Sequence, residues 1–260
     1  MSTAYTCVLI LSDKSSGSTL LQRELAKNPD IHLIAKTRHG NNETLYWNKA
    51  AGLLGLHQET ITDSDELPIS ADQARQEIEK LLSENLEGYI PPSDNEKLVF
   101  EGWYALCKKY APIFLEKSPH HLHYASALDL IRECSRRYPD VRFFYVGLIR
   151  NPMDTLYSMY RRWNSDPQVI QYEWLQTYQN LMKFKRLVGN RLKIIRYEDL
   201  VRNAHTIKAL CTFLGITRVQ GVGTSSHTGS LGKWKGDFSF KFELAQEVID
   251  FAKSFSYTEK

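Results

Sequence analysis

The chain has 260 residues, of which 42% are hydrophobic and 24% charged, and its formal net charge is +3. This composition is typical of a folded globular protein and excludes disorder, collagen-like repeats and coiled coil. The net charge is too small to predict nucleic-acid binding, and the longest apolar runs are far shorter than the ~20 residues of a membrane-spanning helix. One domain over residues 1–260 is therefore predicted.

The residues around the first apolar run and the cysteine pattern predict a cytoplasmic protein. A signal peptide has basic residues before its apolar stretch and small residues after it, whereas Leu11 is followed by Ser12 and Asp13. The four cysteines have no CxxC spacing. Scattered cysteines are typical of reduced, buried thiols and not of a disulfide framework or a zinc site.

Strands and helices alternate along the chain. Apolar runs predict strands at 5–11, 31–35, 113–116, 141–149 and 192–197. Amphipathic periodicity and capping residues predict a helix that ends at Lys27, a helix over 71–86, and a helix that has Tyr124 and Cys134 on one face and is closed by Tyr138 and Pro139. Further helices are predicted to begin at Pro152 and to span 168–188, 204–214 and 240–255. This alternation predicts a three-layer α/β/α fold around a mainly parallel sheet, of the doubly wound kind that includes P-loop nucleotide hydrolases.

A run of small residues separates the first strand from the first helix. It consists of Ser15, Ser16, Gly17, Ser18 and Thr19. Backbone N–H groups at the start of a helix carry partial positive charge, and small residues let an anion approach them. The run has no GK[ST] element of a Walker A loop, because Lys14 precedes Gly17. By itself it is as consistent with a serine-rich turn as with a phosphate site.

A second candidate anion site follows the strand at 141–149, in a stretch rich in arginine and lysine. Arg150 stands where this strand ends, at the sheet edge where doubly wound folds bind ligands, and Ser158 lies on the next helix. A guanidinium group together with a hydroxyl suits a phosphate dianion. The alternative is that Arg150 pairs with Asp154 and only caps structure.

Together the two stretches resemble the cofactor-binding motifs of the sulfotransferases that use 3′-phosphoadenosine 5′-phosphosulfate (PAPS). In that family the first loop holds the 5′-phosphosulfate, and an arginine and a serine at this same spacing hold the 3′-phosphate. Two later stretches, 196–200 and 229–235, are similar to the family's YEDL segment and its GxxGxWK loop. The resemblance implies a PAPS site formed by Lys14, Ser15, Ser16, Gly17, Ser18, Thr19, Arg150, Ser158, Tyr197, Gly229, Gly232, Lys233 and Lys235.

Two features depart from the family's pattern. Lys14 stands one place earlier than the lysine of many cytosolic members, in a register that is closer to the carbohydrate sulfotransferases. His227 and Thr228 stand where the late loop of the family usually begins with arginine or lysine. Two readings then stay open: the 3′-phosphate is held more weakly, or Lys233 or Lys235 supplies the missing charge. The resemblance also implies that Tyr197 lies against the adenine.

Sulfuryl transfer needs a base for the acceptor proton, cations near the transferring group and stabilisation of the leaving oxygen. Lys14 is predicted to stabilise the bridging and leaving oxygens, so that lysine replaces magnesium and no metal is predicted. The segment from Glu116 to Pro119 looks like the EK[ST]P of carbohydrate-type and bacterial members. This likeness implies that Lys117 contacts the sulfonate or the acceptor.

Two candidates for the base stay open. Glu43 resembles the glutamate of the KExHFF-like segment in carbohydrate sulfotransferases, and the alternative for it is an exposed, inert side chain. His120 is the rival base, although Pro119 takes the place of the histidine in the KTH segment of small-molecule sulfotransferases. The group of His120, His121 and His123 is also consistent with histidines on a helix surface.

The predicted function is metal-independent transfer of a sulfuryl group from PAPS to a hydroxyl or amine, which leaves 3′,5′-adenosine bisphosphate. The acceptor is a small molecule or a glycan, and residues 36–68 together with Trp103, Tyr104 and Tyr110 are candidates for its pocket. Aromatic residues are more often core. The alternatives are a P-loop nucleotide or small-molecule kinase and a catalytically inactive nucleotide-binding module. The sequence does not indicate the oligomeric state.

Overall fold

A computed structural model of the protein describes residues 5–56, 69–216 and 228–257. Within these ranges five parallel strands form one sheet in the order β2-β3-β1-β4-β5. The strands are β1 (Tyr5–Ser12), β2 (Ile31–His32), β3 (Ile113–Lys117), β4 (Val141–Ile149) and β5 (Leu192–Arg196). The parallel sheet of the predicted α/β/α fold is confirmed.

Helices cover both faces of this sheet. They are α1 (Ser18–Leu25), α2 (Tyr46–Leu53), α3 (Ala71–Asn85), α4 (Asn95–Lys109), α5 (Ala125–Arg137), α6 (Pro152–Trp163), α7 (Pro167–Val188), α8 (Tyr197–Arg202), α9 (Ala204–Leu214) and α10 (Gln246–Lys253). Short 3₁₀ segments lie at Pro119–Leu122, Gly189–Arg191, Thr228–Ser230 and Lys233–Gly236. In the parts of the chain described, no helix is both long enough and apolar enough to cross a membrane.

The central residues of strand β1, 7–11, are all apolar because the strand is covered on both faces. Cys7, Leu9 and Leu11 are fully buried in a core that includes residues of α2–α5, α7 and α10. Val8 and Ile10 are fully buried in a second core with residues of α1, α8 and α9. Because side chains alternate across a strand, a strand between two helical layers has no polar face. Two helical layers with the sheet between them complete the predicted fold.

Three of these helices, α2, α4 and α8, are not predicted by the sequence pattern. Every residue of α2 is buried, so the helix has no polar face and no amphipathic period. The last helix begins at Gln246, not at the predicted residue 240. Phe240 instead packs against Tyr157 and Tyr160 of α6, with ring centroids 5.0 and 5.4 Å apart. Strand β2 has two residues where five are predicted.

The strand registers bring three loops to one edge of the sheet. Ile10 pairs with Lys117 at the end of β3, and Ser12 pairs with Leu148 near the end of β4. Because the strands are parallel, the segments that follow β1, β3 and β4 all leave the sheet at its carboxyl edge. These segments carry the small-residue run, the histidine group and Arg150.

Candidate active site

A cavity of about 750 Å³ lies at the carboxyl edge of the sheet. Its lining combines the small-residue run, the segment before α2, the histidine segment and α6. The lining residues are Lys14, Ser15, Gly17, Ser18, Thr19, His39, Asn41, Glu43, Pro119, His120, Arg150, Ser158, Met159, Arg162, Trp163 and Ser165. The structure thus brings residues from distant parts of the chain, including both candidate bases, to one cavity.

The small-residue run turns directly into helix α1. Gly17 is the N-cap residue and has a positive φ of 89°, and Ser15 also has a positive φ, of 58°. A Cβ atom at position 17 would lie 2.3 Å from the ring of Tyr197. Glycine is therefore required both by the backbone conformation and by the packing of Tyr197. The α1 N terminus that results supplies N–H groups at the cavity wall.

Ser16 differs from its neighbours because its side chain points into the protein. It is fully buried, and its Oγ lies 2.9 Å from the Tyr178 hydroxyl. Beside it, the Asp13 carboxylate accepts from the Lys14 backbone N–H at 2.7 Å and lies 3.0 Å from His123 Nε2. This buried network holds the run in place from below. Ser16 is absent from the side chains that line the cavity.

Arg150 connects three of the stretches that the sequence singles out. Its two terminal nitrogens donate to the carbonyl oxygens of Ser15 and Ser230, both at 2.8 Å. Its guanidinium carbon lies 4.7 Å from the centroid of the Tyr197 ring, and the Tyr197 hydroxyl lies 2.7 Å from Ser230 Oγ. Within the described ranges, the Arg150 Nε is buried and has no hydrogen-bond partner. Arg150 thus joins the small-residue run to the late loop.

Asp154 contacts the late loop, whereas the alternative stated for the sequence makes it a partner of Arg150 that only caps structure. Its Oδ1 accepts the backbone N–H of Gly232 at 2.7 Å, and Gly232 has a positive φ of 66°. Burial raises the pKa of Asp154, and this effect outweighs the opposing influence of Arg150 and of the Gly232 hydrogen bond. Asp154 therefore anchors the late loop on helix α6.

A second cavity, of about 550 Å³, adjoins the first. It shares Arg150, Ser158 and Arg162 with the first cavity and has Lys233 in its lining. The lining residues are Arg150, Asp154, Tyr157, Ser158, Arg161, Arg162, Ser230 and Lys233. Four cationic side chains make this cavity suitable for a phosphate dianion. The other predicted residues of the late loop lie elsewhere. The Lys235 Nζ lies 5.4 Å from the centroid of the Trp234 ring, and Gly229 lies in the 3₁₀ segment Thr228–Ser230. His227 lies outside the described residues.

Lys117 and Glu43 form a buried ion pair at the cavity. The Lys117 side chain is fully buried, and its Nζ donates to Glu43 Oε1 at 2.6 Å and to Thr19 Oγ1 at 3.1 Å. The Glu43 side chain is 13% exposed. The alternative interpretation, in which Glu43 is an exposed and inert side chain, is therefore wrong. The pair links the segment before α2 to the start of α1.

The three histidines are buried, and the expectation of helix-surface histidines is wrong. His121 lies between Asn48 and Glu116, with ring nitrogens 2.7 and 3.2 Å from the respective oxygens. His123 contacts Asp13. His120 is 8% exposed, and among the described residues neither of its ring nitrogens has a hydrogen-bond partner. Burial, together with the nearby His123 and Lys14, holds the pKa of His120 well below its usual value.

The Glu116 carboxylate fixes the segment that carries Glu43. It accepts hydrogen bonds from the Thr44 and Ser118 hydroxyls and contacts His121. Burial alone would raise the pKa of Glu116, but the neighbouring His121 and these hydroxyl hydrogen bonds lower it below the usual value. Ser118 also accepts the backbone N–H groups of Thr44 and Leu45.

The predicted acceptor region is divided between cavity and core. His39, Asn41 and Glu43, which belong to the stretch 36–68, line the cavity, while residues 57–68 lie outside the described ranges. Trp103 and Tyr110 are buried in the core under the sheet, and Tyr104 stacks on Tyr138 with ring centroids 4.3 Å apart. The aromatic cluster is therefore core. The sequence pattern gives no signal for Met159 and Ser165, which complete the cavity wall.

Comparison with known proteins identifies the family. The model of the sulfotransferase family matches residues 8–220. The chain belongs to the sulfotransferase family. A search of curated proteins finds no match.

Solved sulfotransferase structures have the same fold. The sulfotransferase domain from the curacin biosynthetic pathway is 20% identical, with 97% of this chain and 98% of that chain covered and a TM-score of 0.62. The sulfotransferase domain of the Synechococcus PCC 7002 olefin synthase is 19% identical, with 98% and 96% covered and a TM-score of 0.66. A sulfotransferase from Alicyclobacillus acidocaldarius is 16% identical, with 95% and 90% covered and a TM-score of 0.51. At these identities the likeness is one of fold.

The donor set of this sulfotransferase suits a bisphosphate nucleotide. One cavity offers the α1 N terminus and Lys14, and the other offers guanidinium and ammonium groups. Arg150 lines both cavities. None of the described residues forms a hydrogen bond with its buried Nε. Among the described residues, no group of three or more His, Cys, Asp or Glu side chains is placed to hold a metal ion.

Proposed function

We propose that this sulfotransferase transfers a sulfuryl group from PAPS to a hydroxyl or amine of a small-molecule or glycan acceptor. The observation that carries the proposal is the pair of adjoining cavities that share Arg150, Ser158 and Arg162. One cavity lies at a helix N terminus, and the other is lined by cationic side chains. A molecule with two phosphate groups at its two ends matches this arrangement.

The 5′ end of the donor binds at the N terminus of α1, where Gly17, Ser18 and Thr19 line the cavity. The 3′-phosphate binds in the second cavity, where Arg161, Arg162 and Lys233 provide positive charge and Ser158 provides a hydroxyl. PAPS supplies the activated sulfuryl group. The domain extent of 1–260 and a cytoplasmic location stay predictions, as do the contacts assigned to Ser16, Tyr197, Gly229 and Lys235.

The residues of this chain supply what the transfer needs besides the donor. Lys14 lies beside the α1 N terminus and stabilises negative charge on the leaving phosphate oxygen. Lys117, held between Glu43 and Thr19, places a second cation next to the same helix start. The acceptor enters from the wall formed by His39, Asn41 and Trp163. Its proton passes to a base on that side of the cavity.

Binding of 3′,5′-adenosine bisphosphate in the absence of magnesium tests this proposal. A ligand that binds only the folded state stabilises it, by about 2.7 kcal/mol at 100 times Kd. We expect thermal unfolding in EDTA to show a clear rise in Tm with this nucleotide and a smaller rise with adenosine 5′-phosphate, which lacks the 3′ group. Arg162→Ala should reduce the rise, and Arg136→Ala, an exposed arginine on α5, should not.

Three outcomes would contradict the proposal. A Tm that does not move at saturating nucleotide would exclude the binding site. Turnover that strictly requires ATP and magnesium would favour a P-loop nucleotide or small-molecule kinase. Tight nucleotide binding without turnover of PAPS over a panel of hydroxyl and amine acceptors would favour an inactive nucleotide-binding module.

A further inference from the structure

The buried carboxylate of Glu198 holds the turn that carries Arg150. This turn connects the end of β4 to the start of α6. Glu198 Oε1 accepts the backbone N–H of Asn151, the residue after Arg150, at 2.9 Å. Glu198 belongs to α8 and is 6% exposed. A carboxylate from a helix that follows the next strand thus fixes the backbone beside the arginine.

Tyr257, in the segment after α10, completes the hydrogen bonding of this carboxylate. Its hydroxyl lies 2.8 Å from Glu198 Oε2 and 3.3 Å from the carbonyl oxygen of Ile149, the residue before Arg150. Burial and the Glu198 carboxylate raise the pKa of Tyr257, so the hydroxyl keeps its proton. A hydroxyl has one proton to donate, and the shorter distance assigns that proton to Glu198.

The ion pair that Glu198 forms within the described ranges is too long to replace this hydrogen bond. Arg196 Nε lies 3.9 Å from Glu198 Oε2, and the Arg196 guanidinium carbon lies 4.5 Å from the centroid of the Tyr257 ring. A buried carboxylate that loses a donor keeps its desolvation cost without compensation. Loss of the Tyr257 hydroxyl would therefore let Glu198 shift toward another donor, and the Asn151 backbone would shift with it.

The guanidinium of Arg150 is sensitive to such a shift because it is held at two ends. Its terminal nitrogens donate to the carbonyl oxygens of Ser15 and Ser230, both at 2.8 Å. The carbonyl oxygen of Arg150 accepts the Trp174 indole N–H at the longer distance of 3.3 Å. A side chain that must meet several partners at once requires a backbone that is fixed by the residues around it.

We propose that Tyr257 and Glu198 are positioning residues for the donor, which fix the turn at Arg150 so that its guanidinium meets the 3′-phosphate. The inference rests on the proposed function, because it concerns the phosphate that binds in the second cavity. Tyr257 and Glu198 do not contribute to the lining of either cavity. They act through the backbone N–H of Asn151.

Tyr257→Phe tests the proposal by removing one hydroxyl. We expect calorimetry to show a rise of about three- to tenfold in the Kd of 3′,5′-adenosine bisphosphate, because a loosened turn is in the binding-competent position for less of the time. The Kd of adenosine 5′-phosphate, which lacks the 3′ group, should change by less than about twofold. In turnover, KM for PAPS should rise while kcat stays within about twofold of the wild type.

Tyr104→Phe is the matched control. The Tyr104 hydroxyl also donates to a carboxylate, that of Asp140, at 2.6 Å. Asp140 directly precedes β4 and so lies at the amino edge of the sheet, away from the cavities. The control should lower the free energy of unfolding in urea and leave the Kd of both nucleotides unchanged. A loss of bisphosphate affinity as large as that in Tyr257→Phe would overturn the positioning role.

Variants of Glu198 test the path from Tyr257 to Asn151. Glu198→Ala should weaken bisphosphate binding at least as much as Tyr257→Phe, and the double variant should bind no more weakly than Glu198→Ala alone. Glu198→Gln keeps an oxygen that accepts the Asn151 N–H and should recover most of the affinity. Additive losses in the double variant would show that the hydroxyl acts by another path, and would overturn the inference.

The outcomes separate this inference from the proposed function. Failure of the wild type to bind 3′,5′-adenosine bisphosphate overturns the proposed function, and the inference with it. Binding by the wild type with an unchanged Kd in Tyr257→Phe overturns the inference alone. Equal losses of affinity for the bisphosphate and for adenosine 5′-phosphate in Tyr257→Phe also overturn it, because the effect would then not lie at the 3′-phosphate.

Discussion

Gly17 shows how one position serves both backbone and packing. Its φ of 89° favours glycine, and the Tyr197 ring occupies the space where a Cβ would project. The sequence pattern around this glycine indicates only a role in anion binding. The structure adds that it lets the tyrosine of the 196–200 stretch reach the start of α1. Because Arg150 lies over the same ring, one glycine affects three parts of the site.

We expect Gly17→Ala to lower the free energy of unfolding by about 2–5 kcal/mol, because a left-handed alanine and a steric clash add. Gly88→Ala is the matched control, since Gly88 also has a positive φ but nothing within 4 Å of an added Cβ. That control should cost only about 1–2 kcal/mol. Urea unfolding measures the free energy of unfolding of both variants. Equal losses in the two variants would show that the Tyr197 contact is unimportant.

At the scale of elements, Glu116 joins strand β3 to the segment that leads into α2. Its carboxylate is buried and receives hydrogen bonds from Thr44 and Ser118 besides its contact with His121. Thr44 belongs to the segment before α2, and Ser118 and His121 belong to the segment after β3. The position of Glu43 thus depends on a buried carboxylate that is itself absent from the cavity lining.

The lowered pKa of Glu116 predicts a dependence of stability on pH. A carboxyl with a depressed pKa in the folded state stabilises fully above its unfolded value of about 4.5, and this contribution is lost as the pH falls through the folded value. We expect Glu116→Gln to cost about 2 kcal/mol at pH 7 and the difference from wild type to shrink below pH 4.5. Urea unfolding at both pH values measures this, with the exposed Glu101→Gln as control. A constant difference would contradict it.

At the scale of the whole molecule, the site depends on contacts between stretches that are far apart in the chain. Arg150 bonds the carbonyls of Ser15 and Ser230, which are separated from it by 135 and 80 residues. Asp154 holds Gly232 from 78 residues away. Helix α6 and the late loop, which this hydrogen bond joins, both line the second cavity.

This arrangement makes Asp154 a test of how the late loop supports nucleotide binding. Asp154→Ala removes both a charge and the acceptor for the Gly232 N–H, whereas Asp154→Asn removes the charge and keeps an acceptor oxygen. We expect 3′,5′-adenosine bisphosphate to bind the alanine variant about tenfold more weakly than the asparagine variant, measured by calorimetry. Affinity for adenosine 5′-phosphate should differ little between them. Equal affinities of the two variants for the bisphosphate would show that the hydrogen bond from Gly232 to residue 154 does not contribute to nucleotide binding.

Local sequence pattern was sufficient for most of the sheet and for the stretches that form the site. Strand β4 and helix α9 have the predicted bounds, because a strand covered on both faces is a nearly continuous apolar run and an amphipathic helix has a clear period. The order and spacing of the small-residue run, Arg150 and the later stretches also sufficed to indicate the family. Each of these features is a short motif whose residues are neighbours in the chain, so it can be recognised without knowledge of the fold.

What only the tertiary structure decided was the environment of the side chains. The sequence of residues 119–123 does not show that its histidines are buried, since burial is produced by helices and strands packed over them. Nor does it show that Lys117 pairs with Glu43, 74 residues away. Which group is paired, which is left with an open nitrogen and which charge opposes a proton all depend on long-range contacts, and such contacts form only when the chain has folded.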